Sequence, residues 1–304
     1  MKKHLNLAGF VIALCGAILF STKAIFVKLA FHSTHTDAVT LLSLRMLFSL
    51  PFYVCIAFFV SRREGVVSIS PKQWFLIALM GIFGYYVSSL FDFIGLQYVS
   101  AGLERLILFL YPTFSVLLNS FMFKAKINKI QFIALLLTYL GIGLAYYGEF
   151  RVDTSNPNFF FGSLMVFLCS ITYSFYLVGT GRLVNKVGAT RYTAYAMLFA
   201  TFGIFLHFII TKSITQFVFT PMLISYGAVL AVVATVIPSF MISNAMKKIG
   251  SNNVSIITSI GPVSTIIQAH YILGEKIFTE QIIGTILVVI GVLLIGWRQT
   301  ANNN

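Results

Sequence analysis

The sequence predicts an all-α integral membrane protein, with ten transmembrane helices arranged as two inverted five-helix repeats. Composition is the first ground: 58% of the 304 residues are apolar and 10% are charged, against about a quarter charged in a water-soluble domain. Length is the second, because apolar runs of about 20 residues, enough to cross roughly 30 Å of hydrocarbon, recur with only short breaks. Internal repetition is the third: the second half of the chain follows the pattern of the first.

The runs lie near 7–30, 38–60, 73–95, 98–122 and 129–148 in one half. In the other they lie near 159–181, 190–211, 221–243, 251–273 and 277–297. Helix is the state each must adopt, since an open strand leaves backbone amides unsatisfied in lipid and the runs are too long for barrel strands. Lys2 and Lys3 before an apolar run, with Cys15 further on, resemble a signal peptide. That run continues to Ala30, however, beyond the length of a signal core. Cys15, Cys55 and Cys169 all fall within apolar spans and read as core thiols, not as a disulfide or metal set.

The net charge of +13 reads as membrane orientation and not as a nucleic-acid surface, because Lys and Arg are scattered through short loops. With a cytoplasmic N-terminus, fourteen basic residues fall inside: Lys2, Lys3, Arg62, Arg63, Lys72, Lys124, Lys126, Lys129, Arg182, Lys186, Arg191, Lys247, Lys248 and Arg298. Four fall outside: Lys28, Arg151, Lys212 and Lys276. That asymmetry predicts a multi-pass protein with both termini cytoplasmic.

Sliding the chain against itself by 150 positions aligns Pro71 with Pro221, Pro112 with Pro262, Lys126 with Lys276, Gln131 with Gln281 and Gly141 with Gly291. Between Lys126 and Leu144 the apolar positions Ile127, Ile133, Leu137 and Leu144 also recur, as Ile277, Ile283, Leu287 and Leu294. The repeats therefore divide at 1–150 and 151–304. Five crossings per repeat force the second to enter from the opposite side, which is the inverted symmetry of alternating-access carriers.

Pro112 and Pro262 fall near the middle of spans four and nine, where each removes an amide donor and frees the carbonyl four residues earlier, at Leu108 and Thr258. Kinked helices at matching positions of two repeats point to a binding site at mid-membrane. At 100° per residue, Glu104, Tyr111, Ser115 and Asn119 share roughly an 80° sector of span four. Tyr85, Ser88, Ser89 and Asp92 form a second polar stripe on span three. Lys23 and Arg45 complete five intramembrane charges with Asp92, Glu104 and Arg105. Each costs roughly 2.5–3.5 kcal/mol to insert, so each needs a partner or a task. Structural pairing of the two acids with Arg45, Arg105 or Lys23 competes with a solute-binding role. Glu104 and Arg105 diverge by about 100° and cannot both point into a cavity. The repeat-equivalent positions hold Ala196, Ile242, Val254 and Ser255, so the charges are confined to the first half. Tyr176 is a further lining candidate, while His207 and His270 read as solvated residues at helix ends.

The Leu44-Arg45-Met46 triplet, the mid-helix prolines and the Gly274-Glu275-Lys276 ending before a glycine-rich tenth span resemble the EamA-type carriers of the drug/metabolite transporter superfamily. Gly95-Leu-Gln-Tyr98 and the stretch from Ala101 to Pro112 look like a bacterial branch of that family. The resemblance implies a cytoplasmic-membrane carrier, often an exporter of amino acids or related metabolites, with a cavity bounded by spans one, three, four, six, eight and nine. Its first repeat commonly carries a glutamate where this chain has Ala125.

The leading expectation is thus a secondary transporter for a small polar or amphipathic metabolite, acting as a monomer or homodimer without cofactor or metal. Lys23, Arg45 and Arg105 bias it towards carboxylates. Glu104 or Asp92 is the candidate for exchanging a proton, which makes proton or other ion coupling a possible partner of transport. A passive channel or a sensor is the alternative. Enzymatic motifs such as HExxH, a Gly-x-Ser-x-Gly elbow or a phosphate loop are missing.

Overall fold

The computed structural model describes residues 7–62, 68–124, 129–152, 157–211, 220–249, 254 and 257–301. Lys2, Lys3, Arg63, Ala125, Lys126, Ile127, Lys212 and Ser255, singled out above, lie outside the described residues. Among those described there is no strand. Eight helical stretches are long and apolar enough to cross a membrane, and a shorter apolar helix covers Thr279–Leu294.

In chain order the helices are α1 (Leu7–Thr34), α2 (Ala38–Ser61), α3 (Pro71–Leu96), α4 (Ala101–Leu108), α5 (Tyr111–Phe123), α6 (Lys129–Val152), α7 (Phe159–Val187), α8 (Ala189–Thr211), α9 (221–249), α10 (Gly261–Gln268) and α11 (Thr279–Ala301). Their starts are written in the sequence. Asp37 caps α2 by accepting from the amides of Val39 at 3.0 Å and Thr40 at 3.1 Å. Ser70 and Gln73 form a capping box ahead of Pro71. Thr220 caps α9 ahead of Pro221 in the same way, accepting from Leu223 N at 3.2 Å. The cap and its following proline thus recur at an interval of 150 residues.

The prolines do more than kink their spans. Phe109–Leu110 and Ser259–Ile260 leave the α-helix, and Pro112 and Pro262 sit in the first turns of the restarted helices α5 and α10. A proline has no N–H to bond back and its ring crowds the preceding turn, so the chain tightens and begins again. Leu110 N bonds Ile107 O at 3.0 Å, and Phe114 N bonds Leu110 O at 3.0 Å; 150 residues on, Ile260 N bonds Ile257 O at 3.3 Å, and Ser264 N bonds Ile260 O at 2.9 Å. Both broken segments end in the left-handed conformation, at Lys124 (φ 53°) and Gly274 (φ 71°).

The helices pack as α1 on α9 and α10, α2 on α8 and α9, α3 on α7 and α8, α5 on α7, and α6 on α11. The α6–α11 crossing depends on glycine. A Cβ on Gly141 would lie 2.5 Å from the Gly284 carbonyl oxygen, and one on Gly291 would lie 2.8 Å from that of Ala134. Small residues let these backbones touch, which is how helices gain contact where lipid offers no hydrophobic drive. Large apolar side chains such as Phe59, Phe121 and Ile210 project outward. Cys15 and Cys55 are exposed on this surface as well, which corrects their expected place in the core, and only Cys169 is buried. An apolar span has no polar face to turn outward, so periodicity does not separate lipid-facing from core positions.

The N-terminus of α4 is clamped by two acids, one from α6 and one from the loop after α10. Glu149 accepts from Ser100 N at 3.1 Å and from Ser100 Oγ at 2.6 Å. Glu275 accepts from Ala101 N at 2.9 Å and Gly102 N at 3.3 Å. Carboxylates at a helix N-terminus meet free amides and the positive end of the dipole. Losing the Glu275 acceptors in Glu275→Ala leaves two such amides unmet, at a cost of about 1–3 kcal/mol. Thermal unfolding of the protein in detergent is expected to show a lowered midpoint for Glu275→Ala and an unchanged one for the exposed neighbour Lys276→Ala.

Candidate functional site

A cavity of about 410 Å³ opens between the broken helices. Lys23 reaches it from α1, Arg45 and Tyr53 from α2, Tyr85, Ser88, Ser89 and Asp92 from α3, and Arg105 from α4. Tyr111 follows on α5, Tyr173 and Tyr176 on α7, and Thr258 before the second break. Residues of α2 and of α8, among them Thr193 and Met197, complete the wall. Spans two and seven therefore contribute beside the six expected to bound the cavity.

Local backbone explains several of these placements. Helix α3 widens to a π-helix over Met80–Val87, and such a bulge rotates the residues beyond it relative to a regular helix. Gly81 lies against Ala196 and Gly84 against Tyr176 in this stretch, so α3 sits close to its neighbours where it widens. Arg45 is buried with 3% exposure. Its Nη2 donates to Ser89 Oγ at 3.0 Å, and its guanidinium lies 4.9 Å from the centre of the Phe93 ring. Arg105 lies 5.4 Å from the Phe109 ring centre. Both stack on aromatic faces, a contact suited to a planar guanidinium.

The acids gather around lysine, not arginine. Lys23 Nζ is 2.6 Å from Asp92 Oδ2 and 3.8 Å from Glu104 Oε1. Glu104 is wholly buried, does not line the cavity, and has no hydrogen-bond partner on either carboxyl oxygen among the described residues. Arg45 and Arg105 make no salt bridge among the described residues, and each has an unpartnered Nε. Of the three pairings weighed from the sequence, Lys23 takes both carboxyls and leaves the guanidiniums unpaired.

Tyrosines form much of the remaining wall. Tyr85 meets Tyr176 edge-on at 5.8 Å, Tyr111 meets Tyr173 at 5.3 Å, and Tyr173 stacks on Tyr176 at 5.9 Å. Tyr53 and Tyr173 were not foreseen. Tyr173 was within reach of sequence reasoning, because it lies one helical turn before Tyr176 on the same face.

Ser115 and Asn119 are displaced from the expected stripe. Ser115 Oγ donates to Tyr111 O at 2.8 Å and Asn119 Nδ2 to Ser115 O at 2.9 Å, and neither lines the cavity. The 80° sector assumed one continuous helix, and the break at Phe109–Leu110 removes the shared register. His207 pairs with Tyr86 Oη at 2.7 Å, and His270 with the Glu275 carbonyl at 2.9 Å; neither reaches the cavity.

A helical bundle with an apolar outer surface and a polar, tyrosine-lined interior cavity defines a multi-pass membrane protein built to hold a small solute. The chain belongs to the EamA-like transporter family, whose model matches residues 7–147 and 160–297. It is 34% identical over 289 residues to the uncharacterized transporter YcbK of Bacillus subtilis (strain 168), covering 91% of this chain and 89% of YcbK. An uncharacterized transporter of Archaeoglobus fulgidus is 21% identical over 298 residues, 98% of each chain. A solved crystal structure at 17% identity superposes with a TM-score of 0.64 over 94% of each chain, so the fold is shared. The protein is a membrane transporter.

Removing the ammonium from the acid cluster isolates its structural share. Lys23→Met strands two buried carboxyls and is expected to destabilise the protein by about 3–5 kcal/mol. The combined change with Asp92→Asn is expected to recover part of that loss. Thermal midpoints of the two single variants and the double variant in detergent read this coupling.

Proposed function

We propose that this transporter is a secondary carrier that binds a small carboxylate-bearing metabolite between Arg45 and Arg105 and moves it by alternating access. The observation that carries the proposal is the pair of unpaired guanidiniums facing a cavity between two broken helices. A cation in a low-dielectric wall is stabilised by an opposite charge, and a solute carboxylate supplies one in the bidentate form guanidinium favours. The tyrosines accept the solute's apolar body. Amino acids and related metabolites are the first class to examine. Net export through the cytoplasmic membrane is the direction the family resemblance implies, with both termini inside.

Movement follows from ten spans in two inverted five-helix repeats, 1–150 and 151–304. Recurrence at an interval of 150 residues supports this reading at the caps before Pro71 and Pro221, the breaks before Pro112 and Pro262, and the left-handed ends at Lys124 and Gly274. The α6–α11 crossing adds to it, since Gly141 against Gly284 and Gly291 against Ala134 exchange under the same interval. Two similar halves that trade conformations open the shared cavity first to one side and then to the other.

A ligand that binds only the folded state raises apparent stability. In a thermal-shift screen of purified protein against small metabolites, carboxylates are expected to raise the midpoint, and Arg45→Ala is expected to remove the shift. An equal shift in Arg45→Ala, or shifts confined to cationic compounds, would contradict the assignment.

A further inference from the structure

We infer that the cavity binds its anionic solute together with a proton, the anion on Arg45 and Arg105 and the proton shared between Asp92 and Glu104. The inference rests on the solute-binding role of the cavity proposed above and adds its coupling partner. Six groups set the local charge balance. Lys23 comes from α1, Arg45 from α2, Asp92 from α3, Glu104 and Arg105 from α4, and the buried Cys169 thiol from α7.

Geometry marks the proton's position. The Glu104 carboxyl lies within hydrogen-bonding reach of that of Asp92. As two carboxylates they have no hydrogen to share, which leaves Asp92 Oδ1 and both Glu104 oxygens without a donor among the described residues. Lys23 is committed to Asp92 at 2.6 Å and stands 3.8 Å from Glu104. One proton on the pair supplies the missing donor and leaves a single carboxylate facing a single ammonium. Buried acceptors without donors are costly, and two carboxyls in contact share a proton for that reason.

The sign of the coupling follows from Asp92, which belongs to the cavity wall. With both acids ionised, their negative charge repels an entering carboxylate. One proton removes that excess negative charge and leaves one carboxylate matched to the Lys23 ammonium, so proton and anion each favour the binding of the other. A cationic solute would instead compete with the proton. The carrier therefore loads an anion and a proton together, and the pair crosses without net charge. Efflux of an accumulated anion then takes a proton out with it, and an inward proton gradient acts in the reverse direction.

Three compounds with one ring and different charges test this on the purified full-length protein: phenylacetate, L-phenylalanine and phenethylamine. Binding is measured by calorimetry between pH 6 and 8, with proton uptake followed in weakly buffered solution. The two carboxylates are expected to bind with uptake of up to about one proton each, and their affinity to rise by up to about tenfold for each unit the pH falls. Glu104→Gln replaces the shared proton with an amide donor to Asp92, so it is expected to bind them with no uptake and no pH dependence. Asp92→Asn should flatten the same slope, which keeps the test decisive if one variant does not fold. Carboxylate binding without proton uptake, or a preference for phenethylamine, overturns the proton–anion inference and leaves a carrier of another coupling type or charge class. If none of the three binds, the inference falls together with the carboxylate assignment of the cavity.

Discussion

Everything about the interior depends on the contact between Lys23 and Asp92. An ammonium among apolar helices is tolerated only with an opposite charge in contact, and at 2.6 Å that requirement ties α1 to α3. Glu104 then brings α4 to the same point, so one charge cluster fixes three helices around the cavity. Because Lys23 uses the acids, the arginines do not. The arrangement that satisfies the lysine is also the one that leaves Arg45 and Arg105 without a salt bridge among the described residues, which is the feature the proposed solute site uses.

The backbone adds a second constraint, set by proline and glycine. Proline ends one helix and begins the next at Phe109–Leu110 and Ser259–Ile260, and the helical register on either side of each break becomes independent. Glycine lets α6 and α11 cross at backbone contact, and lets α3 lie close to α7 and α8 where it widens. The N-terminus of α4 is held by Glu149 and Glu275, the second supplied by the loop after α10. The position 150 residues before Glu275 holds Ala125, which has no carboxylate to offer such a clamp. The charge cluster is asymmetric in the same sense. About 150 residues after Arg45, Asp92, Glu104 and Arg105 stand Ala196, Ile242, Val254 and Ser255, none of them charged, and so the first half supplies the charges and the second most of the opposing wall.

Much of this was legible from residue types alone. Apolar runs gave eight spans to within a few residues, because the cost of unsatisfied backbone in lipid leaves helix as the one state available. Charged residues inside those runs pointed to the cavity, and nine of the twelve residues singled out from sequence stand in its wall: Lys23, Arg45, Tyr85, Ser88, Asp92, Arg105, Tyr111, Tyr176 and Thr258. Two of the failures share one source. Ser115 and Asn119 were placed by extending helical geometry through Pro112, whereas a break resets the angle. Partner choice was also out of reach. Sequence could list Lys23, Arg45 and Arg105 as candidates for the acids, but which one reaches them depends on how α1, α2 and α4 pack. Cys15 and Cys55 show the same limit on the outer surface, since an apolar residue in a uniformly apolar span carries no sign of which side it faces.

A fixed cavity and a moving one differ most plainly in solute exchange. Proteoliposomes loaded with unlabelled L-phenylalanine or phenylacetate and diluted into a trace of the labelled compound test that difference without any imposed ion gradient. Alternating access predicts transient accumulation of label above its equilibrium level, saturating with internal solute and lost in Arg45→Ala. Non-saturating equilibration without an overshoot, or no flux from a protein that still binds the solute, would contradict the account.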